Sequence, residues 1–379
     1  MHKNRVLHII TSLSHGGAQA ALYRLCCADP QHRHAVISLM DEGKYGPLLR
    51  AAGVPVRCLE MPLGRVTLKG LLRLWRLLRQ ERPDVVQTWM YHADLVGGVL
   101  ARLARNQFVC WGIRHTNLEP GKSKPSTILV ARICARLSKW VPRRIICCAR
   151  KAAEVHAALG YDAGKFVVIP NGYELSVFQP RPEDGPPLRE ELNLPATLPL
   201  IGMVARFDAQ KDHAGLIAAL KRVAAAGVDF RCILVGTGMK ESNTGLRSWI
   251  ESAGLAERIR LLGPRNDIPA VMNALDIHVL SSFGEAFPNV LAEAMACGTP
   301  CVTTDVGDAA MIVGDTGWVT PPDQPETLAD AITRALQARQ DQVAWSARCA
   351  AARSRIVENF SIEKMVQAYG QVWRTVLES

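Results

Sequence analysis

Two cations stand five residues apart, Arg206 and Lys211, between the apolar run Leu200 to Val204 and a helical pattern from His213 to Leu220. At the carboxyl end of a strand and beside a helix start, such a pair can bracket a pyrophosphate; otherwise it is two solvated surface charges. Two carboxylates, Glu285 and Glu293, stand eight apart around Pro288, which suits a first helical turn. Glu285 then lies in a loop after the run Ile277 to Leu280, where it can accept hydrogen bonds from sugar hydroxyls. Glu293 lies inside the helix, within reach of ribose hydroxyls, and the helix N-terminus between the two supplies partial positive charge. Earlier, Gly16-Gly17 follows the run Arg5 to Ile10 and leads into a helical Gln19 to Cys27. Paired glycines there let backbone N–H groups approach a phosphate, or simply make a tight strand-to-helix turn.

These groups need strands to hold them, and the chain supplies a repeating pattern of short apolar runs and longer amphipathic segments. Before residue 180 the strand candidates are Arg5 to Ile10, His34 to Leu39, Val56 to Leu59, Asp84 to Gln87, Phe108 to Ile113, Arg144 to Cys148 and Lys165 to Ile169. After it they are Leu200 to Val204, Arg231 to Val235, Ile259 to Leu262, Ile277 to Leu280 and Pro300 to Thr303. Strands alternating with crossover helices imply an α/β protein with parallel sheets, and ligands then bind at the strands' carboxyl ends. At 379 residues the chain is long enough for two domains. Residues 179–198, with five prolines and no apolar periodicity, read as a linker between domains at 1–178 and 199–358. The segment 359–379 contains an amphipathic helix with Met365, Tyr369 and Trp373, expected to cross back onto the first domain.

A hydrophobic fraction of 48% and a charged fraction of 21% exclude wholesale disorder. Residues 1–180 carry 26 Lys+Arg against 11 Asp+Glu, while 181–379 carry 19 against 24. A basic first half facing an acidic second half calls for an anionic partner. Two basic amphipathic stretches carry much of the excess: Leu68 to Arg79, with Lys69, Arg73 and Arg76, and Lys122 to Arg144, with Lys124, Arg132, Arg136, Lys139 and Arg143. Each can bury one face on a sheet and still offer its cationic face to an anionic membrane surface. Nucleic acid is not expected, because no recognition motif accompanies the charge. No run reaches the ~18 apolar residues of a membrane span, and Val6 to Ile10 falls short of a signal-peptide core, so a cytoplasmic location is expected. Eleven cysteines without a spaced framework read as reduced, buried thiols, with no metal site expected at Cys297 and Cys301.

Arg206 with Lys211, the stretch Phe283-Gly-Glu-Ala-Phe-Pro-Asn-Val-Leu-Ala-Glu-Ala-Met-Ala296, the following Cys297 to Gly307, Gly16-Gly17 and Ile113-Arg-His-Thr116 together resemble the family-4 retaining glycosyltransferases of the GT-B fold. The resemblance implies two Rossmann-like domains facing across a cleft, and transfer of a sugar from a nucleoside diphosphate sugar, with a UDP-sugar expected, to a glycan or lipid-linked acceptor. It implies bacterial cell-surface polysaccharide or lipopolysaccharide assembly as the setting, and the basic first half points to a peripheral position on the inner face of the membrane. Arg206 and Lys211 match cations on the donor pyrophosphate, Glu293 the carboxylate on the ribose, and Glu285 the carboxylate that holds the donor sugar. The resemblance also implies Phe287, Asn289 and Val290 as donor-binding residues. Gly16 and Gly17 match the loop that closes over the phosphate, His115 a histidine reaching the sugar from the first domain, and Arg265 the nucleobase position, met largely through backbone. No cofactor and no metal are expected, in keeping with the lack of an Asp-x-Asp triplet.

Two residues depart from the family pattern: Pro288 cannot donate a backbone hydrogen bond, and Asp212 places a negative charge after Lys211, where it is expected to cap the next helix. Other readings stay open. A nucleotide-sugar epimerase shares this architecture, a noncatalytic sugar-binding scaffold needs no chemistry, and Gly236-Thr-Gly238 begins a dinucleotide fingerprint that Glu241 leaves incomplete.

Overall fold

Strands covered by helices on both faces must be apolar on both, and the runs Val6–Ile10, Val85–Trp89 and Val109–Ile113 are buried throughout. The computed structural model describes residues 3–118, 123–195 and 197–378; Lys122 of the second basic stretch lies outside them. The chain divides into two units, Met1–Gly172 with Ile362–Ser379, and Tyr173–Ser361.

The first unit alternates β1 (Arg5–Ile10), α1 (Gly17–Ala28), β2 (Arg33–Ser38), α2 (Tyr45–Ala51), β3 (Val56–Cys58), α3 (Leu68–Glu81), β4 (Val85–Trp89), α4 (Tyr91–Leu103), β5 (Val109–Ile113), α5 (Pro125–Leu137), β6 (Arg144–Cys147), α6 (Arg150–Ala158) and β7 (Phe166–Val168). Its parallel sheet has the order β3-β2-β1-β4-β5-β6-β7. The order reverses at β1, so the loop carrying Gly16 opens at a switch point.

The second unit contains α7 (Gly185–Glu191), β8 (Leu200–Val204), α8 (His213–Ala225), β9 (Arg231–Val235), α9 (Thr244–Ser252), β10 (Ile259–Gly263), α10 (Ile268–Ala274), β11 (Ile277–Leu280), α11 (Asn289–Ala296), β12 (Cys301–Thr304), α12 (Ala309–Val313), β13 (Trp318–Thr320), α13 (Pro325–Ala338) and α14 (Gln342–Asn359). Its sheet order is β10-β9-β8-β11-β12-β13, again parallel, with the reversal at β8 and β11. The loops after these two strands, carrying Lys211 and Glu285, are therefore neighbours. The last helix, α15 (Ile362–Glu378), packs in the first unit against α1.

Three differences from the sequence reading have physical causes. The proline-rich stretch expected as a linker is part of the second unit: Pro182 opens a 3-10 turn, and Pro186 and Pro187 lie in the first turn of α7, where a missing N–H breaks no helical bond. Gly185 there meets α10 so closely that a Cβ would lie 3.1 Å from the Asn273 carbonyl oxygen. Strand β13 went unread because three edge residues give no periodicity. Pro288 is the residue before α11, with ψ 93°, rather than within its first turn.

A buried polar chain seats α15. Trp89 Nε1 donates to His8 Nδ1 at 3.1 Å, which leaves the His8 hydrogen on Nε2, 2.9 Å from His34 Nδ1. His34 Nε2 then donates to Asp29 Oδ2 at 3.2 Å, where His32 Nδ1 also donates at 2.7 Å. Burial, followed by His34, holds His8 neutral with its pKa well below the ordinary value. Trp373 of α15 lies edge-on to His32 and donates to buried Gln87. Ligand atoms of His8, Cys26 and His34 lie within 4.8 Å of one another, but the Trp89 hydrogen occupies the His8 nitrogen that would have to carry the proton if Nε2 bound a metal. All eleven cysteines are free thiols, and eight are buried, the expected behaviour of small hydrophobes.

Candidate functional site

At the carboxyl ends of β8 and β11, Lys211 Nζ pairs with Glu285 Oε1, both largely shielded from solvent. Each partner is fixed by its own loop. Lys211 closes a 3-10 turn over Ala209–Lys211 that Asp208 caps by accepting from Gln210 N at 3.0 Å. Asp212 follows in the left-handed region, φ 48°, and its Oδ1 accepts from Gly215 N at 2.9 Å. It caps α8, so its charge is directed along the helix. Glu285 Oε1 also accepts from Ser282 Oγ at 2.9 Å.

The two loops are stitched together. Phe283 N donates to the Gln210 carbonyl at 2.8 Å, and Ser281 Oγ lies within bonding distance of the Lys211 and Asp212 carbonyls. From the other side Thr304 Oγ1 donates to the Ser282 carbonyl at 2.6 Å, and Asp308 N to that of Ala286 at 3.0 Å. Gly307, at φ +58°, approaches so closely that a Cβ there would sit 2.4 Å from the carbonyl oxygens of Glu285 and Ala286. Only glycine meets both demands.

Two buried histidines underlie Lys211. His278 on β11 is pushed down to about 3 by burial and then by Lys211; His213 is pushed down to about 4 by the same two causes, in the same order. Both are neutral at pH 7, so the cationic character of this corner comes from lysine and arginine. Arg206 projects outward with 59% of its side chain exposed, and its Nε donates to Asp208 at 3.1 Å. Burial raises the Asp208 pKa, but hydrogen bonds from Gln210 and Arg206 outweigh it and leave it lowered.

Along α11, Asn289 Oδ1 accepts from Tyr173 Oη at 2.6 Å, Phe287 is buried edge-on to Phe360, and Val290 and Glu293 are partly exposed. Arg265, after β10, is held differently: its guanidinium donates to Glu191 and Asp267, with contacts from 2.7 to 3.3 Å. Gly236 and Gly238 are packing glycines: a Cβ at Gly236 would lie 2.0 Å from the Ala205 carbonyl and one at Gly238 2.7 Å from Phe207 Cβ. Their spacing is set by the β8 loop, which accounts for them without a dinucleotide.

In the first unit, Gly16 precedes α1 and Gly17 begins it. His115 follows β5, with Nε2 3.0 Å from Ser123 Oγ; because Ser123 donates to the Asn117 carbonyl, His115 Nε2 is assigned as the donor. The adjoining Arg114, not singled out as a site residue, stacks 4.5 Å from the Trp89 ring and donates to Asn171 and Tyr369, joining β5 to α15. Asp94, at the start of α4, has its pKa pushed up to about 8 by burial and is protonated at neutral pH. Asp208, Ser281, Ser282 and Gly307 also escaped the sequence reading, although Gly307 closes the quoted motif stretch.

The family description "Glycosyltransferase Family 4" matches residues 15–177, and "Glycosyl transferases group 1" matches 198–338. The chain is 30% identical over 338 residues to a 2-deoxystreptamine glucosyltransferase of Streptomyces kanamyceticus, covering 81% of this chain and 85% of that protein. It is 28% identical over 322 residues to the UDP-Gal:alpha-D-GlcNAc-diphosphoundecaprenol alpha-1,3-galactosyltransferase of Escherichia coli, covering 84% and 82%. The fold matches that of Anabaena HepE, solved in complex with UDP and glucose, at a TM-score of 0.85 and 22% identity over 98% of this chain and 100% of that one.

Proposed function

The chain belongs to the group 1 and family 4 glycosyltransferases, with the GT-B fold of two Rossmann-like domains, and from that premise we propose that it transfers a sugar from a UDP-sugar to an acceptor hydroxyl with retention of anomeric configuration. The observation that carries the reading is the shielded Lys211–Glu285 pair at the switch point of the second sheet. A nucleoside diphosphate sugar supplies each partner with a replacement: phosphate oxygens for Lys211 and sugar hydroxyls for Glu285.

The bond from the sugar anomeric carbon to the β-phosphate oxygen breaks, and a bond to the acceptor oxygen forms on the same face. The acceptor's proton goes to a β-phosphate oxygen, and the nucleoside diphosphate leaves. Negative charge grows on that diphosphate, and Lys211, Arg206 and the N-terminus of α11 are fixed groups of the sign that stabilises it, so the scheme runs without a metal or other cofactor. Arg206 exchanges its surface partner Asp208 for phosphate. Glu293 takes the ribose, Asn289 and Val290 lie at the sugar end, and the backbone near Arg265 takes the base. Gly16, Gly17 and His115 are the candidate groups of the first domain, which binds the acceptor.

The UDP-glucose complex of HepE supports the choice of nucleotide. The diphosphoundecaprenol in the name of the Escherichia coli relative supports a glycan or lipid-linked acceptor and cell-surface polysaccharide or lipopolysaccharide assembly, carried out peripherally on the cytoplasmic face of a membrane. The test is a thermal-shift screen of UDP-, GDP- and ADP-sugars with chelator present, followed by NMR of the product. The reading expects stabilisation by a UDP-sugar and an α-linked product from an α-linked donor. Interconversion of the nucleotide sugar without acceptor would favour the epimerase, and an inverted product would end the retaining scheme.

A further inference from the structure

The outer surface of α3 and the loop before it is both apolar and cationic. Gly70, Leu74 and Leu78 are buried. Leu68 and Leu72, at i, i+4 spacing and 73% and 47% exposed, carry that apolar face on into solvent past half-buried Leu71 and Trp75. Lys69, Arg73 and Arg76 form a cationic stripe beside it, all exposed. The preceding loop adds Leu63 and Val66, 77% and 53% exposed, with exposed Arg65 between them. Between Glu60 and Glu81 the sequence has five cations and no acidic residue. A helix that merely covers a sheet needs only its buried stripe; an apolar face that runs on into solvent and borders a row of cations is the pattern of a helix lying in a lipid interface.

The neighbouring helices extend this surface. α4 packs between α3 and α5. It presents half-exposed Leu95, Val96 and Val99, while its one acidic residue, Asp94, is buried. On α5, Arg132 and Arg136 are exposed, and from Glu119 to Glu154 the sequence has nine cations and no acidic residue between. Because the sheet is parallel, the loop carrying Leu63 and Val66 leaves the same edge as the loops carrying Gly16 and His115.

We infer that the α3–α4–α5 layer docks on an anionic phospholipid bilayer, with Leu63, Val66, Leu68 and Leu72 entering the head-group region and Lys69, Arg73 and Arg76 on the lipid phosphates. This deepens the proposed function by naming the surface that meets the membrane. It rests on that reading only for its purpose, since lipid binding without donor or acceptor tests it separately from transfer.

The experiment is flotation of the full chain with vesicles of phosphatidylcholine alone and of phosphatidylcholine with phosphatidylglycerol, at low and high salt. Wild type binds only the anionic vesicles, and high salt weakens the binding. Each interfacial cation is worth about 1 kcal/mol, so Arg73→Ala/Arg76→Ala lowers partitioning roughly 30-fold. Leu68→Ser/Leu72→Ser lowers it at least about tenfold. Arg222→Ala/Arg247→Ala, on exposed positions of the second unit, leaves it unchanged. Melting temperatures and UDP-sugar binding stay near wild type for all three; should the Leu68/Leu72 variant melt early, Leu63→Ser/Val66→Ser in the loop carries the same test. Absence of wild-type binding at low salt, equal binding to neutral vesicles, or wild-type binding by the leucine variant would each overturn the inference.

Discussion

Gly307→Ala probes whether the Glu285 loop must sit where it does. Gly307 has φ +58°, and the new methyl would lie 2.4 Å from two carbonyl oxygens of that loop, about 1 Å inside ordinary contact. Backbone atoms on both sides cannot swing away as a side-chain tip would, so the loop moves by roughly that 1 Å. Displacement on this scale costs roughly 10² in turnover when it shifts a group that holds substrate. Strain in the left-handed region adds a stability loss of about 1–2 kcal/mol. Gly254→Ala is the control, because it has φ +72° but nothing within 4 Å of the added carbon. Steady-state kinetics and thermal melting of both variants separate the effects. Both lose stability; only Gly307→Ala loses kcat. Wild-type turnover by Gly307→Ala would show that the clamp on Glu285 has no part in catalysis.

The remaining predictions follow from the site's supports. His213 and His278 stay neutral in the folded second unit, at pKa values pushed down to about 4 and about 3, while the unfolded chain takes up protons below pH ~6.5. Unfolded chain therefore binds more protons in that window, stability falls as pH falls, and the pair removes roughly 4 kcal/mol between pH 7 and 5, read as a falling denaturant midpoint; a flat midpoint over this range would contradict the burial. Asp212→Ala loses the α8 cap and strains a left-handed position, for a loss of about 2 kcal/mol, whereas Asp212→Asn retains both and melts near wild type. Equal melting temperatures for the two variants would refute that account.

Much of the fold was legible because a strand buried on both faces has a simple signature. All twelve strand candidates correspond to strands, most with ends shifted by a residue or two. The signature fails at β13, which is too short, and at the proline-rich stretch, where composition conceals that a proline in a helix's first turn costs little. The candidate groups were legible by type and by their position after strands. Their pairing was not: Lys211 and Glu285 are 74 residues apart, and only the strand order that sets β8 beside β11 brings them together. Likewise Arg265 reads as a free cation until α7, which sequence placed in a linker, supplies Glu191.

The most direct test is turnover of a UDP-sugar by wild type and Lys211→Ala with chelator present, alongside isothermal titration of UDP. If the ammonium at the switch point stabilises the departing diphosphate, wild type turns over under chelation, and the variant is slower by ~10² or more while keeping its fold. A folded Lys211→Ala protein that turns over at the wild-type rate would contradict that role and the mechanism built on it.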